Sequence, residues 1–497
     1  MTVDGRTPVI IGCGETVLRP GTWNGVHPVG LMADAVRAAT ADASLSSVPQ
    51  PDAVAVVALL SWRYDDPAYL LATELGVQPR ATFRTAHGGN APQSLINEFS
   101  ARIQSGQLDL AILAGGEMWR TARRARREGV DLGWPQPDGS SSPHFFGPEL
   151  DMSHPDEKAR GITRPVQVYP LFETAIRATN GRTVEEQQIV SSELWSRFSA
   201  VAAANPNAWL PKYVVAEEIR TPTASNRYIG FPYTKLMNSN NDVDMAAAVI
   251  VCSVARARAL GVPTDRWIFP QAGSDAHEHN FVSDRWDFSA APAIQAAGRQ
   301  AMELSGIGHA EEIDIIDLYS CFPSVVQLGA KALGIGLDRQ LTRTGGLTFA
   351  GGPWNNYVMH ALAATVRDLR NAHDAATALV WANGGFATKH SFGAYAKRPP
   401  DHGFRRASPQ DDIDKLPSRR LASAADAAGT HQIETYTVMH DRRGKPEKAI
   451  VTCLLADGRR AWAISAEPTL AAELTMGEWV GAKAVLDASG ELQEASR

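Results

Sequence analysis

Residues 341–357 read LTRTGGLTFAGGPWNNY. This stretch holds a double glycine, a short apolar segment that reads as a strand, a Gly-Gly-Pro turn and two adjacent asparagines. Glycine lets a backbone approach a ligand closely, and proline after glycine fixes a turn. Nowhere else does the chain combine so many permissive backbone positions with polar side chains behind them. Gly345, Gly346, Gly351 and Gly352 are therefore candidate ligand-binding positions. Asn355, Asn356 and Tyr357 are the candidate site side chains behind them. The fold follows from what the flanking chain builds around this loop.

Immediately upstream, IDIIDL at 313–318 reads as a strand, followed by Tyr319-Ser320-Cys321-Phe322 and a helix at 325–333. Downstream come a helix at 358–370, a strand at 378–382 and the turn NGGFATKH, with Asn383, Gly384, Gly385 and His390. The N-terminal part repeats this order. Strands are expected at 7–14, 53–60, 81–85 and 108–114, helices at 28–44, 69–75 and 94–104. The third strand runs into AHGGNAPQ, which carries His87 and Gly89, and the fourth into Gly115-Gly116-Glu117. Alternating strands and helices imply a mostly parallel α/β sheet covered on both faces. Further strands are expected at 245–254 and 267–272. Residues 129–227 are rich in Pro, Ser, His and Trp, with one clear helix at 183–203, and read as an insertion over the sheet. Beyond a Pro-, Arg- and Asp-rich linker the periodicity becomes two, at 433–440, 448–455, 460–465 and 480–486. That pattern predicts a small all-β, OB-like domain. The expected divisions are 1–120, 121–240, 241–396, 397–418 and 419–497.

Composition limits the function. The 497 residues exceed one hydrophobic core, and 44% hydrophobic with 21% charged residues is ordinary for a globular protein. A net charge of −6 gives no electrostatic case for nucleic acid. No apolar run is long enough to span a membrane. The first residues enter a strand without a signal-peptide pattern. Four scattered cysteines argue for neither disulfides nor zinc and lead to the expectation of a reducing cytoplasm. His277 and His279 have a metal-like spacing but no third ligand nearby, so no metal is expected. Arg123 and Arg124, in a run with Arg126 and Arg127, read either as a solvated helix face or as a clamp for a phosphorylated ligand such as coenzyme A.

Four motifs in order resemble the thiolase superfamily: ILAGGEM at 112–118, NDVDMAAAVIV at 241–251, DLYSCF at 317–322 and GGLTFAGGP at 345–353. The third is similar to the His-Asp-Cys-Phe motif of sterol-carrier-protein-type thiolases, and the fourth to the Gly-His-Pro stretch. The resemblance covers about 5–396. It is nearest to actinobacterial thiolase-like proteins of the nominal acetyl-CoA acetyltransferase type, which carry a similar extra C-terminal domain. It implies a five-layered αβαβα fold of two halves with an insertion domain, and acyl-CoA as the ligand of an acyltransferase of lipid metabolism, with no permanently bound cofactor. It also implies a dimer or tetramer through the sheet edge of the first half. A C-terminal domain covering that edge would leave a monomer.

The same resemblance places the acylated cysteine on or near Gly89. The motif histidine falls on Tyr319, the Gly-His-Pro histidine on Gly352 and the acid/base cysteine on about Asn383. The covalent thiolase route needs a thiolate that glycine cannot supply. Its loss is therefore expected, with Tyr319, Cys321, Asn355, Asn356, Tyr357, Asn383, His390 and His87 as what remains to line a site. Cys321 and His87 also read as structural residues, and the two asparagines as turn closers. Three functions follow: an acyltransferase without the cysteine, a retro-aldol lyase on a β-hydroxyacyl-CoA with Tyr319 or Tyr357 as base, or a non-catalytic acyl-CoA binder.

Overall fold

A computed structural model describes residues 3–21, 25–137, 139 and 141–497. Two α/β halves stack face to face. In the first, strand Pro8–Val17 lies beside Asp244–Ser253, then come Leu110–Met118, Ala53–Val56, Ala81–Thr85 and His144–Phe146. In the second, Phe269–His277 lies beside Lys389–Ala396, then Thr377–Gly384 and Ile315–Leu318. In both halves the last of these strands in chain order, Asp244–Ser253 or Lys389–Ala396, lies between the first strand and Leu110–Met118 or Thr377–Gly384, which makes the architectural repeat explicit.

The sheets are mixed rather than mostly parallel. In each half that last strand is antiparallel to both its neighbours. The second half shows why: Thr377–Gly384 and Lys389–Ala396 are joined by a short turn and form a hairpin. In the first half the same hairpin connection has grown into residues 119–243. The insertion is a hairpin turn enlarged into a domain.

Both faces of each sheet are buried. Along one strand Val9 and Ile11 face the outer helices Pro28–Asp42 and Pro67–Leu75, while Ile10 faces the middle of the molecule. The same alternation puts Ile112 outside and Leu113 inside. Helices Ala91–Gln104 and Tyr357–Asn371 fill the middle layer between the sheets. Each follows a glycine-rich turn, so both turns meet at one end of the central layer.

The insertion holds more helix than the sequence indicated. Pro165–Thr179 is a full helix with Pro170 inside it, alongside Trp119–Glu128, Val184–Ala204 and the short helices Pro155–Ala159 and Ala216–Arg220. The edge expected beneath the C-terminal domain is instead covered by the insertion: His144–Phe146 pairs in parallel with Ala81–Thr85. The C-terminal domain rolls five strands, Gly429–His440, Pro446–Leu454, Arg460–Ser465, Lys483–Leu486 and Leu492–Ser496. The first strand is central, and a bridge between Ile464 and Glu491 brings third and fifth strands together, an OB-like closure. Helix Pro468–Leu474, absent from the sequence reading, sits between third and fourth strands. This domain packs on helix Pro165–Thr179, where Thr435 and Thr174 hydroxyls donate to backbone carbonyls across the contact. No described helix is long and apolar enough to cross a membrane.

Candidate functional site

The opening loop is organised by threonines. Gly345 and Gly346 adopt left-handed backbone at φ 107° and 77°, which glycine tolerates. Their N–H groups donate to Thr342 Oγ1 and Thr344 Oγ1 at 3.1 and 3.2 Å. The apolar segment expected as a strand is instead the helical turn Gly346–Phe349, because the two glycines reverse the chain before it. Gly351, also left-handed at φ 104°, packs on Met245 and Trp209. The Gly352 carbonyl accepts from Asn241 Nδ2 at 2.7 Å.

The two asparagines look inward. Asn355 Nδ2 donates to the Ala58 carbonyl at 2.9 Å, and Asn356 Nδ2 to the Gly115 carbonyl at 2.6 Å. Both tie the loop to the sheet of the first half, at Gly115 within Leu110–Met118 and just past the end of Ala53–Val56. Tyr357 is buried, with its hydroxyl 2.6 Å from Thr344 Oγ1 and 3.3 Å from Ser320 Oγ, and its ring is edge-on to Tyr319 at 5.7 Å.

Three of the positions implied as catalytic do converge. Gly89 lies just before helix Ala91–Gln104. A Cβ placed on it would stand 2.9 Å from the Tyr319 hydroxyl and 2.4 Å from the Asn383 carbonyl oxygen. The volume a cysteine side chain would need is thus filled by a phenol and a main-chain carbonyl. Gly384 packs on the same turn, 3.0 Å from the Gly89 nitrogen as measured from its own Cβ position. Gly385 is left-handed, at φ 71°. Asn383 Nδ2 donates to the Tyr169 hydroxyl at 3.1 Å, which donates onward to the Gly385 carbonyl at 2.9 Å. Tyr169 also stacks on Phe322 at 4.6 Å.

The titratable groups here are held neutral. Burial raises the Tyr319 phenol well above its usual range, with Cys321 and Tyr357 adding to the effect. Burial likewise raises Tyr357, aided by Asp317, and pushes the Cys321 thiol up to about 12. His390 is fully buried, its Nδ1 3.3 Å from Trp381 Nε1, and burial holds it well below the usual imidazole range. His87 is apart from this group: it is exposed and paired with Glu149 at 3.1 Å.

Two cavities flank the site. A cleft of about 1150 Å³ runs from Arg120, Arg123 and Lys235 to Ser239 and Thr348. Its inner end is tied to the buried cluster, because Ser239 Oγ donates to the Cys321 carbonyl at 2.9 Å. Asp242 pairs with Arg120 at 2.9 Å and with Arg123 at 3.5 Å. Arg124 points elsewhere, to Glu128 at 3.1 Å. A smaller cavity of about 290 Å³ opens at the start of helix Ala91–Gln104, lined among others by His87, Lys389 and His390. No cluster of three metal-ligating side chains occurs among the described residues.

Tyr169 is the principal residue that sequence reasoning missed. It lies on the helix hidden by Pro170. Arg120 was missed because the four-arginine run drew attention one turn too late.

The site also contains a pH-sensitive carboxyl. Burial raises Asp317 from 3.8 to about 7, against hydrogen bonds from Arg343 N at 2.8 Å and Thr342 Oγ1 at 3.5 Å that favour the anion. The folded state therefore binds this proton more tightly than the unfolded chain. The resulting stabilisation is full below about pH 4 and lost as pH rises through about 7. Between pH 5 and pH 8 it amounts to about 3 kcal/mol. Asp317→Asn should flatten the fall in unfolding free energy across that window. Equal pH profiles for variant and parent would refute the assignment.

The stacked halves, the glycine turns meeting at Gly89 and the enlarged hairpin connection define a thiolase-type protein. Residues 409–491 match the family described as thiolase-like protein type 1 additional C-terminal domain. Over 99% of its length the chain is 31% identical to a monomeric SCP2-thiolase like protein type 1 (STLP1) from Mycobacterium smegmatis, covering 100% of that chain with a TM-score of 0.84. The protein belongs to this type 1 family of SCP2-thiolase-like proteins. Two further structures share the fold. The Ltp2-ChsH2(DUF35) aldolase is 19% identical, covering 79% of this chain and 98% of that one at a TM-score of 0.59. The dimeric peroxisomal thiolase of Saccharomyces cerevisiae is 14% identical, covering 80% and 99% at a TM-score of 0.53. No curated protein sequence matches the chain.

Proposed function

We propose that the protein binds an acyl-CoA-type thioester without forming an acyl-enzyme. The observation that carries this is the filled volume at Gly89, 2.9 Å from the Tyr319 hydroxyl and 2.4 Å from the Asn383 carbonyl. Acyl transfer through a thiolate has no group to run on, since Cys321 titrates only at about 12. The long cleft supports a ligand with a charged end and an extended arm. Arg120 and Arg123 stand at its rim, where phosphates would displace Asp242 as their partner. Ser239 and Thr348 lie at the inner end, next to the Tyr319–Cys321 segment. The retro-aldol reading is less well supported, because it asks Tyr319 or Tyr357 to become a base while burial keeps both phenols protonated.

Calorimetry with acetyl-CoA should show saturable binding, weakened at least about 10-fold by the pair Arg120→Ala and Arg123→Ala. Acetoacetyl-CoA with CoA should yield no acetyl-CoA. Thiolytic turnover, or no binding at all, overturns the proposal. Release of an aldehyde or ketone from a β-hydroxyacyl-CoA would replace it with the lyase. We also infer a monomer, since the sheet edge of the first half is already paired with His144–Phe146. Light scattering should give the mass of one chain, and a dimer would show that another surface associates.

A further inference from the structure

The smaller cavity raises a question that the thioester cleft does not answer. Lys389 lies in its wall and is nine-tenths buried, at 6% exposure. It sits on strand Lys389–Ala396 where the hairpin turn ends, and its Nζ hydrogen-bonds the His87 carbonyl. The ammonium is packed over Gly88, whose Cβ position is 3.0 Å from Nζ, at the start of helix Ala91–Gln104. A helix N-terminus carries partial positive charge, so this is a poor place for a cation.

The charged and titratable neighbours do not compensate. Glu149 is paired with His87, and Asp275 with Arg406 at 3.2 Å. Asp275 is further occupied by Ser94 Oγ at 2.7 Å and Asn97 Nδ2 at 3.1 Å. His277 Nδ1 lies 2.8 Å from the Glu278 carbonyl. His390 lines the same cavity with its Nε2 lacking a hydrogen-bonding partner. Among the described residues no carboxylate pairs with Lys389. Burial lowers its affinity for a proton, the field of Glu149 opposing in part. A buried amine in such surroundings spends more time neutral, with its lone pair free.

We propose that Lys389 is a nucleophilic amine that forms an imine with a small aldehyde or ketone entering this cavity. The Nζ lone pair attacks the carbonyl carbon, and the nitrogen loses its protons as the carbonyl oxygen gains two and departs as water. One C=N bond replaces one C=O bond, with no net oxidation. The cavity of about 290 Å³ limits the ligand to a small carbonyl compound. A thioester carbonyl does not form a stable imine, so this chemistry is independent of the acyl-CoA reading and can fail or succeed separately from it.

The test uses the intact chain with propanal and cyanoborohydride, which reduces an imine to a stable propyl-amine, followed by peptide mapping. At neutral pH, Lys389 should be propylated at least ten times faster than exposed lysines such as Lys212 and Lys415 (side chains 73% exposed). In urea-unfolded protein that preference should vanish. Lys389→Arg should remove the fast-labelling site while the remaining lysines react as before. Native labelling of Lys389 no faster than that of the exposed lysines overturns the proposal, and needs no variant to observe. Preferential labelling that persists in urea also overturns it, because it would then owe nothing to the folded cavity.

Discussion

Gly89→Cys will not create a thiolase, and both it and Gly89→Ala will destabilise the fold by about 2–3 kcal/mol, the usual penalty of overpacking. The added Cβ meets two different obstacles. The Tyr319 hydroxyl at 2.9 Å belongs to a side chain, but its ring is edge-on to Tyr357 and buried, so retreat is restricted. The Asn383 carbonyl at 2.4 Å is backbone in the ladder between Thr377–Gly384 and Lys389–Ala396, where Asn383 faces His390. Moving it strains the hairpin. Gly89→Ala combined with Tyr319→Leu should therefore recover only part of the loss, since the carbonyl contact persists. The double-mutant cycle isolates the tyrosine share. Urea denaturation measures each cost. A Gly89→Ala variant within about 0.5 kcal/mol of the parent would show that the pocket is open and would remove the filled volume on which the proposed function rests.

That filled volume was only half legible in the sequence. Glycine at 89 and tyrosine at 319 could be read against the thiolase pattern, but their contact is a three-dimensional fact. Most strands of both halves were legible because their runs are apolar, but Lys389–Ala396 was not, since its first residues read as part of the NGGFATKH turn. The antiparallel direction of Asp244–Ser253 was not legible, because its connection to Leu110–Met118 is residues 119–243 rather than a turn. Helix Pro165–Thr179 escaped because Pro170 breaks the expected pattern and residues from Gln167 to Arg177 are buried all round, leaving no amphipathic period. Strand His144–Phe146 is only three residues long, too short to carry a signal. Asn355 and Asn356 stood out in the sequence as candidate site side chains. An asparagine can bond main chain or ligand equally well, and only packing showed that their amides serve Ala58 and Gly115. Lys389 was visible only as a neighbour of His390. Its isolation from carboxylates needed the fold.

Arg460→Met should cost about 3–5 kcal/mol and loosen the C-terminal domain from the core. Arg460 is fully buried at 0% exposure. Its Nε and Nη2 donate to the two oxygens of Glu434 at 2.7 and 2.6 Å, a bidentate pair within the domain. Its Nη1 crosses to the second half and donates to the carbonyls of Ser283 and Arg285 at 2.6 Å each, while Phe288 lies under the guanidinium at 4.5 Å. Methionine fills similar space but leaves Glu434 only the more distant Arg419 guanidinium, 3.9 Å away, and leaves two carbonyls unpaired, and poorly paired buried groups dominate such losses. Glu434→Leu added to Arg460→Met should restore part of the stability, because it removes the stranded charge. Segment 282–285 is also where the insertion meets the core, through Glu157 and Ser283 at 3.0 Å. From there Arg285 reaches the Phe386 carbonyl at 2.8 Å and Thr388 Oγ1 at 3.0 Å, directly behind the Asn383–Lys389 turn. Undocking the domain therefore releases the turn that fills the Gly89 volume and carries Lys389. Trypsin should cut Arg460→Met at Lys415, Arg419 or Arg420 at least about 10-fold faster than the parent, since undocking, not global unfolding, lets that already exposed linker extend into a protease. The selective labelling of Lys389 should fall in parallel. A variant that unfolds at lower urea but keeps both the parental cleavage rate and the Lys389 preference would show that the domain is an independent appendage, with no hold on the site.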